Sequence, residues 1–144
     1  MNRRIEATLI ALTVLTVSGC GSDPVAADDD QFLESLFGRW TWINATGGLA
    51  GWELTPETEG FTRTLVITAP NRIEVLRDGR TEVSTTFRFE PETADLPIVS
   101  SGRFLYEQPL LGFPEQSVLI TIEGVLVLID PCCDGFAYGW ARAQ

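Results

Sequence analysis

Few residues in this chain suit chemistry, and those that do are cysteines, arginines and carboxylates. The sequence has no histidine, and all ten of its positive charges are arginines. An imidazole base, a histidine metal ligand and a lysine Schiff base are therefore excluded. Its three cysteines are Cys20, Cys132 and Cys133. Adjacent cysteines bond only as a vicinal disulfide, a ring that closes almost no loop and so gains little chain entropy. Cys132 and Cys133 leave three readings open: a vicinal disulfide stiffening 131–135, reduced or intermolecularly bonded thiols, and a metal site shared with Asp130 and Asp134. The disulfide is the expectation adopted for an oxidising compartment. Neighbouring residues chelate one ion poorly, and no histidine or distant cysteine completes a tetrahedral set, so neither a metal nor a cofactor is expected. Nothing here would serve as the base of a catalytic thiol. Glu57 and Glu59 form a carboxylate pair suited to acid–base work, but the expectation is that the protein is not an enzyme. The run Asp28-Asp29-Asp30 reads as a solvated stretch before it reads as a calcium loop.

Aromatic residues are the next candidates. Strand alternation puts Trp40, Trp42, Phe87, Phe89, Phe104, Tyr106, Tyr138 and Trp140 on inward faces. They either line a pocket for a small apolar molecule or fill a narrow core by packing on one another. Arg63 shares a face with Phe61 and Leu65, so it is an inward charge. It meets either a buried acid or a ligand carboxylate. The stretch 45–60 is long and glycine-rich for a strand connection and carries Trp52, a candidate lid residue. Asn44-Ala45-Thr46 fits a glycosylation acceptor and is read as accidental.

The N-terminus is read as a targeting segment, not as part of the fold. Met1-Asn2-Arg3-Arg4 is basic, and 8–17 (TLIALTVLTV) is an apolar run too short to span a bilayer as a helix. Val17-Ser18-Gly19-Cys20 resembles the bacterial lipobox. That resemblance implies that Cys20 is diacylglyceryl-modified, that cleavage removes 1–19, and that the new amine is acylated. Several acyl chains on one residue anchor stably, since each buried CH₂ adds about 0.8 kcal/mol. Gly21 follows the cysteine, where an aspartate would signal inner-membrane retention in Gram-negative lipoproteins. Residues 20–30 (CGSDPVAADDD) read as an acylated, acidic, flexible tether.

Residues 31–144 read as one domain, which fits a chain of 144 residues. After one helical turn at 31–37, strands are predicted over 38–44, 61–69, 72–77, 80–89, 98–106, 117–122, 125–129 and 136–142. Asp78-Gly79 marks a tight hairpin. Loops are predicted over 91–97 and around Pro109 and Pro114. There is no room for the long crossovers that parallel strands need. A sequential antiparallel meander of about eight strands removes its edges by closing into a barrel; an open sandwich is the alternative. The run 125–129 (VLVLI) is apolar on both faces, so its outer face needs a cover, either the 32–37 turn or a partner.

Gly38-Arg39-Trp40 after the Phe32–Phe37 turn, Arg142 on the last strand, the 47–65 stretch and the tail 130–138 (DPCCDGFAY) together resemble the calycin superfamily, specifically small lipocalin-like bacterial lipoproteins. The resemblance implies an eight-stranded up-and-down barrel, with Arg142 packed across Trp40 at its floor and the first long loop over its mouth. The chain is shorter than long lipocalins and lacks their second strand–loop signature, which argues against a roomy cavity. The function expected is a lipid-anchored, extracytoplasmic barrel that binds a small apolar ligand. The rival is a filled barrel presenting loops to an envelope protein. Its partners would be the membrane, through the anchor, and a hydrophobic ligand. A net charge of −10 excludes nucleic acid.

Overall fold

The computed structural model describes residues 24–92 and 100–144. The predicted leader at 1–19, the lipidation site Cys20 and residues 21–23 lie outside the described residues. Helix α1 (Pro24–Leu36) leads into strand β1 (Gly38–Gly47), followed by β2 (Trp52–Leu54) and the short helix α2 (Pro56–Glu59). Strands β3 (Arg63–Thr68), β4 (Arg72–Arg77), β5 (Arg80–Glu92), β6 (Ser100–Leu110), β7 (Phe113–Ile120), β8 (Leu126–Ile129) and β9 (Phe136–Arg142) complete the chain. Every pairing is antiparallel and joins sequential neighbours from β3 to β9; β1 pairs with both β3 and β9. The sheet thus closes on itself as an eight-stranded, all-β, up-and-down barrel of lipocalin-like architecture, not a sandwich. Closure leaves no free edge among these eight strands to template aggregation.

Alternation drives the closure. Trp40, Trp42, Leu65, Ile67, Ile73, Val75, Phe87, Phe104, Val118, Leu126, Leu128 and Trp140 all point inward and are buried. A bulge between Trp42 and Asn44 in β1 resets the alternation, so that Ala45 is buried where Asn44 would have been.

One end of the barrel is a floor, and α1 seals it. Phe32 and Leu36 of the helix are buried in the same core as the strand residues, and the Phe32 ring lies 5.8 Å from Phe89. The expected closure is present there: Trp40 and Arg142 face each other across β1 and β9, and the Arg142 guanidinium sits 4.1 Å over the Trp40 ring. The Trp40 indole N–H donates to Leu36 O at 2.9 Å. Arg142 donates to Phe37 O at 3.1 Å and to Ser35 O. One cation thus binds the first strand, the last strand and the C-terminus of α1, where a positive charge is favoured by the helix dipole. Gly38 explains its place two residues before Trp40: its φ is +130°, and a Cβ there would meet Arg142 Nη1 at 2.9 Å.

Several expectations need correction. The helix spans Pro24–Leu36 instead of a single turn, so it starts inside the segment read as tether. It caps the barrel floor and does not cover the outer face of β8, whose Val127 and Ile129 are half-buried. The loop at 45–60 contains β2, which pairs with the end of β1, and α2, capped by a reciprocal Thr55–Thr58 box. Pro109 and Pro114 lie inside β6 and β7. The turn between them is only Leu111-Gly112, both with positive φ, and a register shift after Leu105 accommodates the prolines.

Candidate binding site at the barrel mouth

The barrel axis is filled by side chains. Phe87 and Phe104 pack with their rings tilted and centroids 4.5 Å apart, and the Phe104 ring centroid lies 6.0 and 6.1 Å from those of Phe89 and Tyr106. Trp42, Trp140, Leu65, Leu110 and Leu128 occupy the rest. Most of the aromatics predicted as possible pocket lining therefore belong to the core. Phe104, Tyr106, Trp42 and Trp140 are buried there, and Phe87 and Phe89 border a cleft of about 340 Å³ against α1.

Tyr106, Gln116 and Asp130 form a chain of hydrogen bonds inside the barrel, while the buried Trp140 indole N–H has no partner among the described residues. The buried Tyr106 hydroxyl donates to Gln116 Oε1 at 2.9 Å, and Gln116 Nε2 donates to Asp130 Oδ1 at 2.7 Å. The Phe136 N–H donates to Asp130 Oδ2 at 2.9 Å. Asp130 is thus committed to holding β7 and β9 and is not turned towards the cysteines as a metal ligand. Sequence reasoning missed this chain because each member needs a partner from another strand. The inward register of Gln116 with Val118 was its one visible sign.

The mouth, opposite α1, is where charge meets the interior. Arg63 opens β3, and one edge of its guanidinium donates to both oxygens of the Glu82 carboxylate, Nε to Oε2 at 3.0 Å and Nη2 to Oε1 at 3.1 Å. Of the two partners expected for Arg63, the protein supplies the acid. Strict alternation would put Glu82 outside with Ser84, but the register shift between Val75 and Leu76 makes Glu82 a bulge residue. Arg63 also rests against aromatic faces, 5.0 Å from Phe61 and 5.9 Å from Trp42, which are themselves stacked. Arg77 lies 3.8 Å over Phe61. The Asp78 carboxylate turns back to accept from the Thr62 N–H and hydroxyl.

Beside the ion pair lies a cavity of about 360 Å³, lined by Arg63, Glu82, Val83, Pro109, Leu111, Gly112 and Tyr138. Burial, reinforced by Asp130 and opposed by Arg63, pushes the Tyr138 hydroxyl up to about 12, so it remains a donor at neutral pH. Burial and then Asp130 likewise hold Tyr106 well above the usual phenol value. Of the predicted ligand residues, the structure brings Arg63 and Tyr138 together at this cavity, with the buried Trp42 against Arg63. Trp52 stands on the β1–β2 lip with its side chain exposed.

The disulfide expected between Cys132 and Cys133 is not formed: both are free, exposed thiols. The Gly135 N–H donates to Cys132 O at 3.0 Å, so a backbone turn already fixes this segment without a ring. The Asp134 carboxylate raises the Cys132 thiol first by hydrogen bonding. Among the described residues no group of three carboxylates and cysteines is placed to hold a metal ion. Among them, too, no helix is long and apolar enough to cross a membrane. Compared with models of protein families, with curated proteins and with solved structures, the chain matches none.

Proposed function

We propose that this chain is a lipid-anchored, extracytoplasmic, lipocalin-like protein that binds a small molecule with an apolar portion, and that it is a binding protein and not an enzyme. The observation that carries this reading is the cavity of about 360 Å³ at the mouth, where two hydrogen-bond donors, Arg63 and Tyr138, face the apolar Val83, Pro109 and Leu111. The lining is more polar than apolar, so the polar groups would fix the head of a ligand and these three side chains offer a small apolar patch for the rest of it. With the axis filled, the ligand sits at the mouth and not along the barrel. The lipobox-like 17–20 supports the anchor, with the membrane as its first partner. Cleavage there would leave three residues between the acylated Cys20 and the start of α1. That span reaches about 14 Å at most, so the barrel floor stays close to the lipid surface.

A second reading has its own support. Leu49 is 92% exposed and Trp52 62% exposed on the β1–β2 lip, as would suit a barrel that offers loops to an envelope protein. Native mass spectrometry of the full chain, extracted from membranes in detergent, separates the two. The proposal expects a triacylated chain beginning at Cys20 that carries a small-molecule adduct. An unprocessed chain would overturn the anchor. A processed chain with no adduct, even after incubation with amphiphiles, would overturn ligand binding.

A further inference from the structure

We infer that the ligand of the mouth cavity is a small carboxylate with an apolar tail, and that Glu82 occupies its head site until the ligand displaces it. This rests on the mouth-binding reading and names the class of molecule. Arg63 and Glu82 are unequal partners. Arg63 is 17% exposed and held against Phe61 and Trp42, whereas Glu82 is 32% exposed and stands on a bulge at the rim. The guanidinium is fixed and the carboxylate is the part free to swing into water. Its two contacts, at 3.0 and 3.1 Å, already show the paired geometry that a guanidinium offers to a carboxylate. An incoming carboxylate would take the same two donors, so Arg63 stays paired throughout and no buried charge is left bare.

Tyr138 supplies the second contact. Its hydroxyl makes no hydrogen bond within the protein among the described residues, and it lines the same cavity as Arg63. Arg77 and Arg80 stand on the adjoining rim, and neither is ion-paired among the described residues. Asp78 is turned away to Thr62. On a chain of net charge −10 these two arginines put local positive charge beside Arg63, alongside the acidic Asp78 and Glu82. Val83, Pro109 and Leu111 are the smaller, apolar part of a mostly polar lining and would receive the tail. A volume of about 360 Å³ lies near the lower end of the ~300–1,000 Å³ usual for small-molecule sites, which suits a short tail.

Calorimetric titration of octanoate and of 1-octanol into the full chain in lipid nanodiscs, with protein-free discs subtracted, tests this. Octanoate should bind at least tenfold more tightly than octanol. Glu82→Gln should tighten octanoate about ten- to hundredfold by removing the competing charge, from the usual strength of charged hydrogen bonds, and leave octanol unchanged. Arg63→Gln should abolish the preference for octanoate. Tyr138→Phe should weaken octanoate severalfold. Equal binding of acid and alcohol would overturn the carboxylate assignment while leaving mouth binding intact. Weaker octanoate binding by Glu82→Gln would overturn the displacement. Binding of neither probe by any variant would remove the mouth-binding reading together with the inference. If Arg63→Gln does not fold, the Glu82→Gln titration decides alone.

Discussion

Replacing Arg142 with alanine tests the floor of the barrel. The guanidinium stacks on Trp40 at 4.1 Å and donates to two carbonyls at the end of α1. The side chain is largely exposed, so each contribution is taken at the low end of its range. A cation on an indole face contributes about 0.5–1 kcal/mol. Its two hydrogen bonds add about 1 kcal/mol, and its charge at the helix C-terminus about 0.3 kcal/mol. The total is roughly 2 kcal/mol, which for a domain of this size lowers Tm by about 6–12 °C. Thermal melts of the full chain, followed by near-ultraviolet circular dichroism of the tryptophans, measure it. Arg142→Lys should recover less than half of the loss, because an ammonium cannot stack and fork at once. A melt for Arg142→Ala within about 1 °C of the parent, inside the usual scatter of surface substitutions, would refute the clamp.

Gly102 has the Phe89 ring 2.3 Å from where a Cβ would stand and Glu90 O at 2.8 Å. Gly102→Ala should therefore cost about 1–3 kcal/mol by overpacking, read from urea denaturation, whereas Gly112→Ala, with open space but φ of +93°, should cost about 1 kcal/mol from backbone strain alone. Tyr106 and Tyr138 are the protein's two tyrosines, and both are raised in the fold. The unfolded chain loses its phenol protons near pH 10 and the folded chain does not. The tyrosines' contribution to stability is thus constant below pH 10 and falls away as pH climbs towards 12, and tyrosinate absorbance should stay low at pH 10.5; substantial ionisation there without unfolding would contradict the burial. Alkylation without prior reduction should place two adducts on the 130–138 segment, because Cys132 and Cys133 are free; no adducts would show a ring.

The strand ladder was legible because alternation is a local signal. Phe87 and Thr85 inward against Arg88 and Thr86 outward can be read from the residues alone, and Gly38, Trp40 and Arg142 mark the floor. Features that depend on a partner elsewhere could not be read this way. The helix α1 begins in a small, acidic stretch that resembles a solvated linker, and Phe32 and Leu36 anchor it only once a barrel end exists to receive them. Two prolines suggested a loop where a two-residue turn follows a shifted register. At the site, Arg63 was recognisable as an inward charge, but its partner was hidden: one bulge residue carries Glu82 to it from the face that alternation calls outer. The pairing of Gln116 with Asp130 was invisible for the same reason, since it spans β7 and the end of β8.

Chemical-shift mapping of the full chain during an octanoate titration shows whether a filled barrel binds at its mouth. Perturbations should centre on Arg63, Val83, Leu111 and Tyr138, with Val118 and Leu126 in the core unmoved. Shifts concentrated along the barrel axis, or in the cleft between α1 and Phe87, would contradict binding at the mouth.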